Sequence, residues 1–183
     1  STLHQRKTAP TSNLPLRAGK GWLYEGGIRI PLIIAWKGQL KGSQICDEPV
    51  ISMDVYPTIL DLAGLPLKPR QHRDGLSLRP LLTNNSDHLQ RDALYWHFPH
   101  YHGSGNRPSG AIRSGDYKLI EWFENHDLEL YNLNEDPGEQ KNLTASMPEK
   151  TIALQKQLSG WRKSVDAAMP RPNPDWKAQA DQN

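Results

Sequence analysis

The sequence predicts an α+β chain, in which the end of a larger α/β layer is followed by a small four-stranded antiparallel sheet backed by a C-terminal helix. Three observations carry this expectation. Ile30-Pro31-Leu32-Ile33-Ile34-Ala35-Trp36 is a short apolar run bounded by breakers, the pattern of a strand buried on both faces of an α/β sheet. Ala93–Phe98, Gly110–Arg113, Tyr117–Phe123 and Leu128–Leu133 are short β-like runs separated by Gly, Ser, Asn and Asp, close enough for an antiparallel meander. Leu154, Leu158, Trp161 and Val165 then recur at helical spacing and form one apolar stripe, able to cover a face of that sheet.

The remaining elements follow in chain order. Residues 1–19 mix Lys, Arg, Thr, Ser and Pro without periodicity and read as a loop ending at Gly19-Lys20-Gly21. Gly26-Gly27 marks a turn before the apolar run. After a polar stretch from Lys37 to Asp47, Ser52 or Asp54 can cap a helix carrying Val55, Ile59 and Leu62 on one face, stopped by Gly64 and Pro66. Residues 65–91 are rich in Pro, Arg, Asn and His, with a brief helical turn expected around Leu76–Leu82. The boundary is placed there, between residues 1–88 and 89–183. Ser146-Met147-Pro148-Glu149 offers a capping box with Pro in the first turn, so a helix is expected over about 147–167. The tail from Pro170 reads as extended.

Composition narrows the classes. With 36% hydrophobic residues, six Trp and six Tyr, the 183-residue chain has the means for a core and does not read as a disordered tail. Lys and Arg number 22 against 20 acids, and a formal charge of +2 gives no basic footprint for nucleic acid. The longest apolar run contains Pro31 and falls far short of the ~20 residues that cross a bilayer. Cys46 has no partner within the chain and lies in no zinc-ligand spacing, so it reads as an ordinary thiol. Ser1–Lys20 lacks the basic-then-apolar order of a signal peptide and resembles the interior of a longer protein, so a fragment is expected.

The most informative segment is Gly19-Lys20-Gly21-Trp22-Leu23-Tyr24-Glu25-Gly26-Gly27-Ile28-Arg29-Ile30-Pro31. Glycines flanking a Lys let backbone and ammonium approach an anion closely, although a lone Gly-Lys-Gly is also the pattern of a solvated loop. Glu25 and Arg29 read as a structural ion pair beside the glycines. Further along stand Trp36-Lys37-Gly38, Asp54-Val55-Tyr56-Pro57-Thr58 and Asp74-Gly75-Leu76-Ser77-Leu78. After them come Gly110-Ala111-Ile112-Arg113 with Tyr117-Lys118-Leu119-Ile120, Glu129-Leu130-Tyr131-Asn132-Leu133, Asp136-Pro137-Gly138-Glu139 and Asn142-Leu143. In order and spacing, these strings resemble the C-terminal portion of the formylglycine-dependent sulfatases, members of the alkaline-phosphatase-like superfamily.

The resemblance implies that Lys20 contacts a sulfate ester and neutralises or protonates its leaving oxygen. It also implies a nucleophile made from Cys in Cys-x-[Pro/Ala]-x-Arg and a calcium ion held by Asp and Asn oxygens. Cys46 is followed by Asp47-Glu48-Pro49 and does not match the first pattern; no Asp precedes Lys20, so the chain is expected to begin just downstream of the metal motif. Calcium and formylglycine are therefore expected in the full-length enzyme and neither in this piece, which alone should be inert. Expected partners are a sulfate-ester substrate, aryl or carbohydrate, and the upstream part of the same protein. The family further implies the periplasm or secretion.

His97, His100 and His102 with Arg107 form a second cluster, and three readings fit it. The imidazoles could bind a transition metal, although they lack helical ligand spacing and a carboxylate. They could contact substrate from a loop over the pocket, as could Arg107. They could merely pack. Trp22, Trp36, Trp122 and Trp161 read as core. Asn84-Asn85-Ser86 and Asn142-Leu143-Thr144 match the glycosylation sequon. Two rival functions remain for the whole: a phosphonate monoester hydrolase of the same superfamily, or a stand-alone sulfated-glycan-binding module.

Overall fold

A computed structural model describes residues 12–83, 86–171 and 173–174. The chain divides into two compact units. One joins the described residues up to Arg29 with those from Tyr95 onward; the other is Ile30–Leu94. The unit junction thus falls six residues beyond the expected boundary at 88/89, and the segment preceding Arg29 packs with the second half of the chain.

The first unit is built on a sheet of β1 (Leu94–Phe98), β2 (Ser109–Ser114), β3 (Tyr117–Trp122) and β4 (Leu128–Asn132), in the order β1-β2-β3-β4. β2 and β3 pair antiparallel with Ser109 opposite Trp122 and Ser114 opposite Tyr117. Their connection is therefore the pair Gly115-Asp116, and Gly115 at φ +57° takes the left-handed conformation that tight hairpin turns require. β3 and β4 pair with Ile120 opposite Glu129 and Lys118 opposite Tyr131.

Alternation along the strands then sorts the side chains onto two faces. Ala111, Arg113, Lys118, Ile120, Trp122, Glu129 and Tyr131 share one face, and Ile112, Leu119, Glu121 and Leu130 the other. The second face is covered by α4 (Pro148–Ser164), which packs on β2 and β3 through fully buried Leu158 and nearly buried Leu154. Arg162 of α4 pairs with Glu121 at 2.6 Å, and Trp161 stacks on Tyr95 at 4.8 Å. The first face is covered by the segment that carries Lys20: Leu23 and Tyr24 join Ala111, Ile120, Trp122, Tyr131 and Leu133 in one buried cluster.

α4 begins one residue later than the capping box implies. Met147 is the N-cap without a side-chain cap, and Ser146 Oγ donates to the Leu143 carbonyl instead. Pro148 explains this, because it favours the first helical position and holds the residue before it out of the α region. The helix ends at Ser164, ahead of the expected 167, because Asp166 turns at φ +50° and Ala167 N–H closes onto the Arg162 carbonyl.

In the Ile30–Leu94 unit a turn of 3-10 helix (Ser52–Asp54) leads into α2 (Val55–Leu62), and α3 (Arg79–Leu82) is a single turn. Gly64 at φ +68° ends α2 in a Schellman motif, with Leu65 N–H on the Leu60 carbonyl and Gly64 N–H on the Asp61 carbonyl. Two sequence strings are stitched together here. Buried Asp54 accepts from Leu76 N–H at 2.9 Å and pairs with Arg91, Thr58 Oγ1 accepts from Leu78 N–H at 2.8 Å, and Asp61 accepts from Ser77 Oγ at 2.6 Å. A Cβ on Gly75 would fall 2.2 Å from the Met53 carbonyl, so only glycine permits the approach. These motifs are scaffold.

Residues 30–36 form no strand, which corrects the buried-strand expectation. Ile30 is 79% and Ile33 89% exposed, and Trp36, expected in the core, is 41% exposed. A central strand needs a partner on each edge, and among the described residues no strand pairs with this segment. The apolar face of α2 is likewise open at Val55 and Ile59.

Candidate active-site surface around Lys20

Lys20 lies on a turn shaped by its glycines. Trp22 N–H donates to the Gly19 carbonyl at 3.1 Å, and Gly21 at φ +92° occupies the position where a type II turn demands glycine. Behind the turn stands α1 (Glu25–Ile28), a single helical turn. Gly26 N–H donates to the Arg17 carbonyl at 2.9 Å, and a Cβ on Gly27 would lie 2.1 Å from the Trp22 carbonyl. The Gly26-Gly27 pair therefore lets α1 brace the 17–22 loop, backbone against backbone. Lys20 is exposed and has no hydrogen-bond or ion-pair partner among the described residues.

The loop between β1 and β2 comes against this turn. A Cβ on Gly21 would fall 2.2 Å from His102 Nδ1 and 2.7 Å from Ser104 Oγ, and Gly105, at φ +99°, lies over the Trp22 ring. His102 N–H donates to the Asn106 carbonyl and Gly105 N–H to the His102 carbonyl, which closes the loop on itself. Ser104 N–H donates to His102 Nδ1 at 3.2 Å, so in the neutral ring the proton sits on Nε2 and that edge remains a donor.

Of the cluster singled out in sequence, His102 is the member that the structure brings to Lys20's turn. His97 lies on the α4 face, its Nε2 at 2.7 Å from the Ala168 carbonyl and its ring against Phe123. His100 is exposed and leans on the Phe98 ring at 4.2 Å. Arg107 pairs with Glu124 at 3.1 Å and lies over the Trp122 ring, while Tyr101 OH also donates to Glu124.

Two polar networks lie behind the turn. In the first, Glu129 accepts from Tyr24 OH and Tyr131 OH at 2.8 Å each and from Trp122 Nε1 at 3.1 Å. Burial, and then these bonds to a carboxylate, push both phenols well above their ordinary range. Arg17 lies over the Tyr24 ring and donates to Tyr131 OH and to the Glu139 carbonyl. In the second, Lys118 Nζ, fully buried, stands 3.0 Å from Glu25 Oε1 and 2.9 Å from Glu139 Oε1. Glu139 Oε2 also accepts from the Glu25 N–H at 2.6 Å. Burial raises the Glu139 carboxyl, and Lys118 offsets part of that rise.

The expected Glu25–Arg29 pair is therefore corrected. Glu25 is buried and turned to Lys118, while Arg29 is exposed. The signal for this pairing was available in β3, where alternation puts Lys118 on the same face as Ile120 and Trp122. A Lys on a buried face must find carboxylates. Asn142 of the second sequon accepts from Leu130 N–H and Thr144 N–H, tying down β4; Asn84 and Asn85 of the first lie outside the described residues.

Among the described residues no three His, Cys, Asp or Glu side chains stand together as cation ligands. The buried carboxylates Glu25 and Glu139 are already committed to Lys118, and Cys46 is exposed outside any Cys-x-[Pro/Ala]-x-Arg string. Among the described residues, therefore, neither a ligand set for calcium nor a string for formylglycine is present.

The small sheet is thus sandwiched between α4 and the glycine-braced segment that carries Lys20. The chain belongs to the family described as N-sulphoglucosamine sulphohydrolase, C-terminal, whose model matches residues 18–164. It is 37% identical over 166 residues to a sulfatase of Formosa agariphila, covering 83% of this chain and 30% of that protein. To human arylsulfatase A it is 34% identical over 179 residues, covering 84% of this chain and 34% of the relative. Among solved structures it is similar to Ps i-CgsB in complex with k-i-k-neocarrahexaose, with a TM-score of 0.68 and 27% identity, over 82% of this chain and 32% of that one. The chain thus spans about a third of the length of these relatives.

Proposed function

We propose that this chain is the C-terminal part of a sulfatase that hydrolyses sulfate esters, aryl or carbohydrate, and that Lys20 and His102 meet the substrate. The observation that carries the reading is the ammonium of Lys20, without a hydrogen-bond or ion-pair partner among the described residues, on a braced turn against which the loop of His102 packs at Gly21. When the ester S–O bond breaks, its electron pair stays on the leaving oxygen. Lys20 Nζ–H donates to that oxygen as its charge develops, which stabilises the transition state more than the ground state. His102 offers a second donor to the sulfate or to the group it is attached to.

The nucleophile and cation of such an enzyme would come from the upstream part of the same protein, so this piece alone is inactive. The exposed run at residues 30–36 fits that assignment as a strand of a sheet completed by the upstream part. On the family expectation alone, the enzyme is assigned to the periplasm or the exterior, which cell fractionation tests.

The deciding experiment is Lys20→Ala in the full-length protein, assayed on aryl sulfates and, in parallel, on a phosphonate monoester. Loss of about 100-fold in sulfate turnover is expected, the scale of one electrostatic stabiliser. Turnover unchanged by the substitution would sink the role of Lys20, and preference for the phosphonate ester would sink the reaction class.

A further inference from the structure

Nothing in the proposed chemistry uses the buried Glu25–Lys118–Glu139 cluster, although three ionisable side chains lie at its centre with almost no access to water. Burying charges is costly, and a cluster of hydrophobic residues would hold a core as well or better. What distinguishes this cluster is the residue it grips. Glu139, from the turn after β4, and Lys118, the second residue of β3, both close on Glu25. One holds its backbone N–H at 2.6 Å and the other its carboxylate at 3.0 Å. Arg113 stands farther off, 3.9 Å from the second Glu25 oxygen.

Glu25 is the first residue of α1, and α1 is what braces Lys20's turn from behind, through Gly26 N–H on the Arg17 carbonyl and the close approach of Gly27 to the Gly19 and Trp22 carbonyls. Lys20 has no hydrogen bond or ion pair of its own to fix it among the described residues. Its placement depends on the backbone turn, the turn on α1, and α1 on two side chains from the sheet unit.

We propose that Lys118 and Glu139 are positioning residues for Lys20: through Glu25 and α1 they hold the Gly19–Trp22 turn where the Lys20 ammonium meets the leaving oxygen. The inference rests on the role assigned to Lys20 in sulfate-ester hydrolysis. It predicts an effect that a merely structural ion cluster would not have. A displaced Lys20 fails where the leaving oxygen most needs neutralising, so the loss depends on the leaving group.

The test is a double-mutant cycle in the full-length protein, read on phenyl sulfate, a poor leaving group, and 4-nitrophenyl sulfate, a good one. Lys118→Met is expected to lower kcat on phenyl sulfate by about 10-fold, with KM changed little. On 4-nitrophenyl sulfate the loss should be below about 3-fold, since about 1 Å of misplacement is enough for such effects. In a Lys20→Ala background, Lys118→Met should lower kcat no further, because the two residues act as one unit.

Equal losses on both substrates, or a full further loss in the Lys20→Ala background, would overturn the proposal while leaving Lys20's own role standing. If Lys20→Ala itself changes nothing, the underlying reading has failed instead. Should Lys118→Met not fold, Glu139→Gln decides in its place, since it keeps an oxygen for the Glu25 N–H while removing the charge. The same pattern is expected from it at roughly half the size on a logarithmic scale, and its absence would overturn the proposal equally.

Discussion

In the unit that joins the described residues up to Arg29 to those from Tyr95 onward, the sheet is covered on both faces. α4 lies on one and the Leu23–Tyr24 segment on the other, and Ala111, Ile112, Leu119, Ile120 and Leu130 lose all contact with water. In the Ile30–Leu94 unit the fixed points are polar. Asp54, Thr58 and Asp61 tie α2 to residues 76–79 and Arg91, while Ile30, Ile33, Ile45, Ile59 and Leu65 stay more than half exposed. A motif-rich stretch can thus be locally well ordered without having buried its own apolar surface. The first unit has a core to lose; the second has a set of hydrogen bonds.

That contrast can be broken most forcefully at Lys118. Lys118→Met leaves Glu25 and Glu139 without the ammonium between them, with Arg113 at 3.9 Å from Glu25 as the remaining nearby cation, and a loss of about 3–5 kcal/mol is expected in chemical denaturation of the sheet unit. Next in size is a matched pair of truncations. Ile120→Ala should cost about 2–5 kcal/mol, because the site is fully enclosed. Ile33→Ala, at 89% exposure, should stay within about 0.5 kcal/mol in this chain. In the full-length protein Ile33→Ala should become costly if the 30–36 run is buried there, and an unchanged melt would refute that assignment.

A smaller and sharper difference concerns glycine. Gly27→Ala and Gly75→Ala each drive a methyl onto a carbonyl oxygen, at 2.1 and 2.2 Å, and each should destabilise its own unit by about 1–3 kcal/mol. Hydrogen exchange should show the opening confined to the unit that carries the substitution.

The smallest expected effect is a difference in pH response. Tyr24 and Tyr131 have phenols raised by burial and then by Glu129, so the unfolded chain releases their protons first. Stability of the sheet unit is held below the ordinary phenol value of 10.0 and falls as pH rises beyond it. Asp61 is lowered by its bonds from Ser77 and Arg79, so its contribution is present above the ordinary value of 3.8 and is lost as pH falls through the folded value. Alkali should loosen the first unit and acid the second, followed by hydrogen exchange across both ranges. Tyr24→Phe should weaken the alkaline response, and an unchanged alkaline profile in that variant would remove Tyr24 as its source.

Much of the sheet unit was legible from period and punctuation. All four strands fall where the alternating runs stand, and Leu154 and Leu158 are buried as their spacing implies. Less legible was what covers the second face. Leu119-Ile120 followed by Trp122 has apolar residues on both sides of β3, which signals two covers without saying that Leu23 and Tyr24 supply one of them. Lys20 was legible through its glycines and the family string. The proximity of His102 was not, because a loop's path depends on contacts some eighty residues away, here through Gly21 and Gly105.

By itself, the sequence determined the local elements, the glycine-shaped turn under Lys20 and the family to which these strings belong, because turn chemistry and hydrophobic period act over a few residues. Only the tertiary structure decided the partners. It turned Glu25 to Lys118 and Glu139 rather than to Arg29, set His97 apart from His102, and left residues 30–36 at the surface. The physical reason is the same in each case. A buried charge takes whichever opposite charge the fold brings within reach, and an apolar strand is buried only where neighbouring strands exist to receive it.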